Sequence, residues 1–219
     1  MARVFHRSTN TLARVSIFGF LFLLAGVAWV TITVGRSSYM TNVGVAQGQP
    51  VPFSHEHHVG GLGLDCRYCH TSVERSAFAG MPATQICMNC HSQIWSDSPM
   101  LEPVRASFRT GQPLVWTRVD NLPEFAYFDH SIHIHQGIGC SSCHGRVDQM
   151  SLTFAASPMY MEWCLECHRN VAQYIRPRDQ VFNMKWQPPA NQTERGRKLM
   201  LEYHVKDIRS LIVCSTCHR

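Results

Sequence analysis

CRYCH at residues 66–70 is the first of five copies of the pattern Cys-x-x-Cys-His in this chain of 219 residues. The other copies are CMNCH (87–91), CSSCH (140–144), CLECH (164–168) and CSTCH (214–218). Together they use every cysteine of the chain: Cys66, Cys69, Cys87, Cys90, Cys140, Cys143, Cys164, Cys167, Cys214 and Cys217. Cysteines at i and i+3 and a histidine at i+4 project from one face of a helical turn. Each motif can therefore present two sulfurs and one imidazole to the same group.

This spacing is typical of covalent attachment of a c-type haem, with the sulfurs on its vinyl groups and the imidazole on its iron. A disulfide framework would not explain a histidine after every second cysteine. Structural zinc sites use other spacings, and a thioredoxin-like redox site needs only one such motif. The sequence thus predicts five haem c groups, whose proximal iron ligands are His70, His91, His144, His168 and His218.

An internal repeat predicts four further iron ligands. The pattern Phe-x-His-x-x-His occurs as FSHEHH (53–58) and FDHSIH (128–133), and each copy precedes two haem motifs. The repeated units are 53–91 and 128–168, at an offset of 75 residues, and the fifth motif lies outside them. Histidines three residues apart share one face of a helical turn and can reach two neighbouring haems. The predicted distal ligands are His55, His58, His130 and His133.

The sixth ligand of the fifth haem has several candidates. Met161 lies just before the fourth motif in SPMYMEWCLECH, and a methionine ligand would raise the potential of its haem relative to bis-histidine neighbours. His204 lies on a helix expected over 193–209, with Thr193 as its N-cap. His57 and His135, which lie beside the repeated pairs, are comparable candidates.

The N-terminal region predicts a membrane anchor. Residues 15–34, VSIFGFLFLLAGVAWVTITV, carry no charge, and twenty helical residues span about 30 Å, the hydrocarbon thickness of a bilayer. A secretory signal peptide usually has a shorter apolar core, of about 7–15 residues. Arg3, Arg7 and Arg14 precede the run and only Arg36 follows it closely. This asymmetry predicts a single-pass protein of the cytoplasmic membrane with its N-terminus inside and its haem domain on the periplasmic side.

These features predict the domain organisation: a cytoplasmic segment (1–14), a transmembrane anchor (15–35), a linker (36–52) and a pentahaem domain (53–219). A chain of this length wrapped around five macrocycles is expected to be mainly irregular, with short α-helices. LVWTRV at 114–119 alternates like a short strand, which either packs on a partner subunit or forms a surface hairpin. The basic residues behind the formal charge of +5 are dispersed, so nucleic acid is not an expected partner.

Several stretches resemble the pentahaem cytochrome c subunit of alternative complex III, a bacterial menaquinol oxidoreductase. They are GLDCRYCHTSVERSAFAGMPATQICMNCHSQIW, FDHSIHIHQGIGCSSCHG, MEWCLECHR and CSTCHR, within residues 50–219. The resemblance implies that His55, His58, His130 and His133 are distal ligands, and it favours Met161 as a ligand. It also implies partner subunits, among them an iron-sulfur protein and polytopic membrane proteins. A monohaem cytochrome c or a copper protein would accept the electrons.

The function expected from these features is electron transfer within a membrane quinol oxidoreductase, with no catalysis by this chain alone and no catalytic residues. The alternative is a free-standing, membrane-anchored quinol dehydrogenase that feeds a soluble reductase. A third class, multihaem reductases of small substrates such as nitrite, would need an open iron site, which five fully ligated haems would not offer.

Overall fold

The structure is a computed structural model that describes residues 5–218. It divides into two compact units, Met1–Val43 and Gly44–Arg219. The predicted linker, 36–52, therefore crosses the boundary between the units.

The first unit contains the helix α1 (Ser8–Gly35) and the short helix α2 (Ser38–Thr41). No side chain of α1 is buried, and the helix is long and apolar enough to cross a membrane. The hydroxyls of Thr31 and Thr33 donate to carbonyls one turn earlier, Val27 O and Trp29 O, so neither hydroxyl proton is left unpaired on the apolar surface. α1 begins ahead of the predicted span. Such a helix indicates a membrane anchor or a signal sequence, and its orientation stays a prediction.

The second unit is built from short helices joined by irregular segments, as the sequence predicted. The α-helices are α3 (Cys66–Cys69), α4 (Thr84–His91), α5 (Glu102–Thr110), α6 (His130–His135), α7 (Ser141–His144), α8 (Met161–Arg169), α9 (Val171–Tyr174), α10 (Gln192–Glu202), α11 (Ile208–Leu211) and α12 (Cys214–Cys217). A π-helical segment spans Glu56–Gly61, and 3-10 turns span Pro99–Leu101, Val147–Gln149 and Arg178–Gln180.

The prediction of a strand at 114–119 is wrong. Residues 5–218 contain only isolated bridges and no β-strand. The backbone of Thr117 is instead held by a side chain, because its N–H donates to Gln49 Oε1 and its carbonyl accepts from Gln49 Nε2, both at 2.9 Å. The helix expected over 193–209 is also shorter: α10 begins at Gln192, so Thr193 lies inside it and is not its N-cap.

The buried apolar side chains form three small clusters instead of one continuous core. They are Ile138 with Val171, Ile175 and Tyr203; Val51 with Leu101 and Val104; and Val73 with Ile134 and Val181. A unit of this length would normally bury a larger apolar core. Small, separate clusters are typical of a domain in which cofactors supply part of the interior.

The packing of α9 against α10 requires a glycine at position 196. A Cβ on Gly196 would collide with the backbone of Ala172, at its carbonyl oxygen. Alanine favours a helix by about 1 kcal/mol over glycine, but backbone atoms cannot move aside as a flexible side chain can. We expect Gly196→Ala to destabilise the protein by about 1–3 kcal/mol, measured by denaturant unfolding. The control is Gly48→Ala, where a Cβ meets nothing within 4 Å, and equal losses in both variants would contradict the assignment.

Candidate haem-binding sites

Short helices carry the five motifs. The cysteine pairs lie on α3, α4, the start of α7, α8 and α12. Local capping explains the first of these helices, because Asp65 accepts a hydrogen bond from Arg67 N at 2.8 Å and so closes the N-terminus of α3. No two of the ten cysteines are joined in a disulfide. Within residues 5–218, no three His, Cys, Asp or Glu side chains gather as a site for a bare metal ion.

The internal repeat is also a structural repeat. In the first copy the Phe53 ring meets His55 edge-on and stacks on His58, at centroid distances of 4.9 and 4.5 Å. In the second copy Phe128 makes the same two contacts, edge-on with His130 at 4.8 Å and stacked on His133 at 4.4 Å. The sequence showed the repeated phenylalanine but not its role, which is to fix the orientation of both imidazoles.

The four repeated histidines face motif histidines in an ordered way. Ring centroids are 6.2 Å apart for His58 and His91, 6.3 Å for His130 and His144, and 6.2 Å for His133 and His168. Among neighbouring residues, His70 has the largest electrostatic effect on the pKa of His55, which it lowers. The first histidine of each pair thus faces the first following motif, and the second histidine faces the second.

These separations fit a haem iron between the rings. Two metal–imidazole bonds of about 2 Å each, with half a ring at either end, give a centroid separation of about 6 Å. Three of the four sites, at the second, third and fourth motifs, therefore have the spacing that bis-histidine ligation requires. When bound, a haem would supply a one-electron couple at each site.

All nine predicted histidine ligands have a hydrogen bond at Nδ1, which distinguishes them from the other histidines considered as ligands. Seven of these rings donate to backbone carbonyls, which can only accept, so the proton is fixed on Nδ1 and Nε2 is left as a metal ligand. The distances lie between 2.7 and 3.0 Å. The other two rings bond to a hydroxyl (Thr153, from His55) and to a carboxylate (Asp120, from His144). In the described part of the chain, the reserve candidates His57, His135 and His204 have no such bond.

Burial favours the neutral form of three of these imidazoles, His55, His130 and His133, and ligation to a metal requires the neutral form. Burial, followed by the charge of His70, lowers the pKa of His55 to about 4. Burial also lowers the pKa of His130 and of His133, against the opposing effect of the carbonyls that accept from them.

The five motifs lie next to one another in an order that differs from the sequence. The second motif adjoins the first, since Cys87 adds to the effect of burial in raising the pKa of Cys69. The first adjoins the third, since a hydrogen bond from the Cys140 thiol lowers the pKa of Cys66.

Contacts between the third and fourth motifs and between the fourth and fifth motifs complete the spatial order. Burial raises the pKa of Cys143 to about 12, and Cys167 and Cys164 of the fourth motif add to this effect. Burial raises the pKa of Cys164, and Cys217 of the fifth motif adds to it. The spatial order is therefore second, first, third, fourth, fifth.

Of the ligand candidates for the fifth haem, Met161 lies beside the fourth motif. Met161 is the first residue of α8, one turn before Cys164 and on the same face, and Cys164 neighbours Cys217. Its side chain is 65% exposed. His204 follows α10 and is also exposed, with a left-handed backbone. The choice between them stays a prediction.

The motifs, the repeat and the short helices are together typical of a multihaem cytochrome c. Residues 132–219 match the family model described as cytochrome c3. The chain is also similar to the menaquinone reductase multihaem cytochrome c subunit of Nitratidesulfovibrio vulgaris (strain Hildenborough), with 31% identity over 125 residues. That alignment covers 57% of this chain and 53% of the relative, so the chain spans about half the length of the curated relative that it matches.

Proposed function

We propose that this chain is the electron-transfer subunit of a membrane quinol oxidoreductase and carries five c-type haems in one continuous row. The observation that supports this best is the unbroken neighbour order of the five motifs. Cysteines of neighbouring motifs lie close enough to interact electrostatically at every step from the second motif to the fifth. A row with two ends suits a carrier that takes electrons at one end and releases them at the other.

The chain's own residues hold and orient the cofactors. The ten motif cysteines would form the thioether bonds, and the five motif histidines would bind iron from one side. His55, His58, His130 and His133 would bind it from the other side at the first, second, third and fourth motifs. Met161 is proposed as the sixth ligand at the fifth motif, with His204 as the alternative. The Nδ1 hydrogen bonds of the nine predicted histidine ligands keep these rings in the tautomer that can bind iron through Nε2.

The proposed setting is the periplasmic face of the cytoplasmic membrane, with α1 as a retained anchor. The partners proposed from the resemblance to alternative complex III are an iron-sulfur protein and polytopic membrane subunits that oxidise quinol. A monohaem cytochrome c or a copper protein would be the acceptor. The similar subunit from Nitratidesulfovibrio vulgaris, which is named as part of a menaquinone reductase, supports a quinone-linked complex.

The name of that relative also supports a second candidate, in which the direction is reversed. Electrons would then enter this chain from a periplasmic donor and leave towards menaquinone. Stopped-flow mixing of the purified complex with menaquinol, and separately of the reduced complex with menaquinone, separates the two candidates. Rapid reduction of the haems by menaquinol supports quinol oxidation, whereas rapid oxidation by menaquinone with slow reduction supports the reverse.

Extraction in mild detergent tests the subunit assignment. After native electrophoresis, we expect the haem-staining band to contain this chain together with an iron-sulfur protein and polytopic membrane proteins, identified by peptide mass analysis. A band that contains this chain alone, or with a soluble reductase, would instead support the free-standing quinol dehydrogenase.

A further inference from the structure

The third motif differs from the other four in the partner of its histidine. His144 Nδ1 lies 2.7 Å from Asp120 Oδ2, whereas the other motif histidines donate to backbone carbonyls. The Asp120 side chain is only 18% exposed, and its Oδ1 is buried without a hydrogen-bond partner in the described residues. A carboxylate partner makes a ligating imidazole more basic and a stronger electron donor.

A buried cation contacts the same motif at its two serines. Arg176 is 4% exposed, and its guanidinium donates to the hydroxyls of Ser142 at 2.9 Å and Ser141 at 3.2 Å, the two central residues of CSSCH. It also stacks on the Trp186 ring, 4.3 Å from the ring centroid. Gly139 makes room for it, because a Cβ at that position would collide with the guanidinium.

Arg176 has no compensating carboxylate within residues 5–218. Its further contact is with the Asn183 carbonyl, and its buried Nε has no hydrogen-bond partner. An arginine this deeply buried is costly unless its charge is paired or used. The cysteines on either side of the motif, Cys140 and Cys143, are within its electrostatic range.

We propose that Asp120 and Arg176 are a pair of opposing charges that set the reduction potential of the third haem. Reduction brings one negative charge to the iron site. The Arg176 cation stabilises the reduced form and raises the potential, whereas the Asp120 carboxylate, acting through His144, stabilises the oxidised form and lowers it. Both are positioning residues, since neither is expected to bind iron.

The position of the third motif explains why its reduction potential would matter for electron flow. It is the middle one in the spatial order, so each electron that crosses the row must occupy it. A haem whose potential is set there by two opposing charges would control the flow between the first two sites and the last two. This inference rests on the proposed function, because it requires that the third haem is bound.

Spectroelectrochemical titration of the full-length, haem-loaded protein tests the pair. We expect Asp120→Asn to raise the midpoint of one haem and Arg176→Met to lower that of the same haem. Each change should be about tenfold in the reduction equilibrium, which corresponds to about 59 mV for a one-electron couple. Arg176→Lys keeps the charge and should retain more of the parent potential.

Matched controls remove the same charges elsewhere. Arg178 and Asp179 follow closely in the chain, but their side chains contact the His135 carbonyl and Gln180 respectively. Arg178→Met and Asp179→Asn should leave all midpoints in place. The assignment would be overturned if the midpoint potentials shifted with the same sign in Asp120→Asn and Arg176→Met. It would also be overturned if all haems shifted equally or if no midpoint shifted. If Arg176→Met loses haem, the sign of the Asp120→Asn shift alone decides.

Haem content separates this failure from a failure of the proposed function. Fewer than five haems in the parent protein, by pyridine haemochrome assay against protein mass, would contradict the proposed cofactor set. Five haems with unmoved potentials would overturn only the roles of Asp120 and Arg176.

Discussion

His58→Ala and His133→Ala should each convert one of the five haems from low-spin to high-spin, while the total haem content stays unchanged. Each histidine faces a motif histidine at a centroid distance of 6.2 Å, so its removal opens one axial position of that iron. The thioether bonds and the proximal histidine do not depend on the distal ring, so the haem itself should remain attached. Electron paramagnetic resonance and carbon monoxide binding would measure the high-spin fraction.

The chain provides closely matched controls for both variants. His57 is adjacent to His58, and His135 lies on α6 with His133, yet neither control ring has an Nδ1 hydrogen bond in the described residues. His57→Ala and His135→Ala should therefore leave every haem low-spin. A high-spin haem in a control variant, together with an unchanged spectrum in His58→Ala, would reverse the assignment of the pair.

The local chemistry of the sites could be predicted from the sequence because it depends on short spacings. Two cysteines and a histidine within five residues share a face in any helical turn, and the duplication at an offset of 75 residues indicated the distal pairs. The structure adds which histidine faces which motif. This was not predictable, because it depends on contacts across the fold, such as the bond from His130 to the Ala77 carbonyl, 53 residues away.

Asp120 and Arg176 gave no signal in the sequence for a related reason. Neither lies in a motif or in the repeat, and they approach the third motif from 24 and 34 residues away in the chain. The erroneous strand at 114–119 has the same origin. Alternating side chains form a strand only if another strand is available for pairing. Here the side-chain amide of Gln49 takes both backbone hydrogen bonds of Thr117 instead.

A chain that ends after Ser215 should carry four haems instead of five, because the truncation removes Cys217 and His218. Pyridine haemochrome assay against protein mass would measure the loss. The same residues also hold the segment before the second repeat: Tyr127 N donates to Cys217 O at 2.7 Å, and His218 Nδ1 donates to Phe125 O at 3.0 Å. The truncated chain is therefore also expected to unfold at lower denaturant concentration.

Two controls separate the loss of the haem from the loss of these backbone contacts. Deletion of Arg219 alone should leave five haems, and Cys217→Ala keeps the carbonyl that accepts from Tyr127 while it removes one thioether bond. The spatial order adds a sharper expectation for the truncated chain. The fifth motif adjoins the fourth, through Cys217 and Cys164, so the midpoint of the fourth haem should shift most. The first and second haems, at the opposite end of the row, should keep theirs. Retention of all five haems would mean that the last motif is unused, and equal shifts along the row would contradict the order.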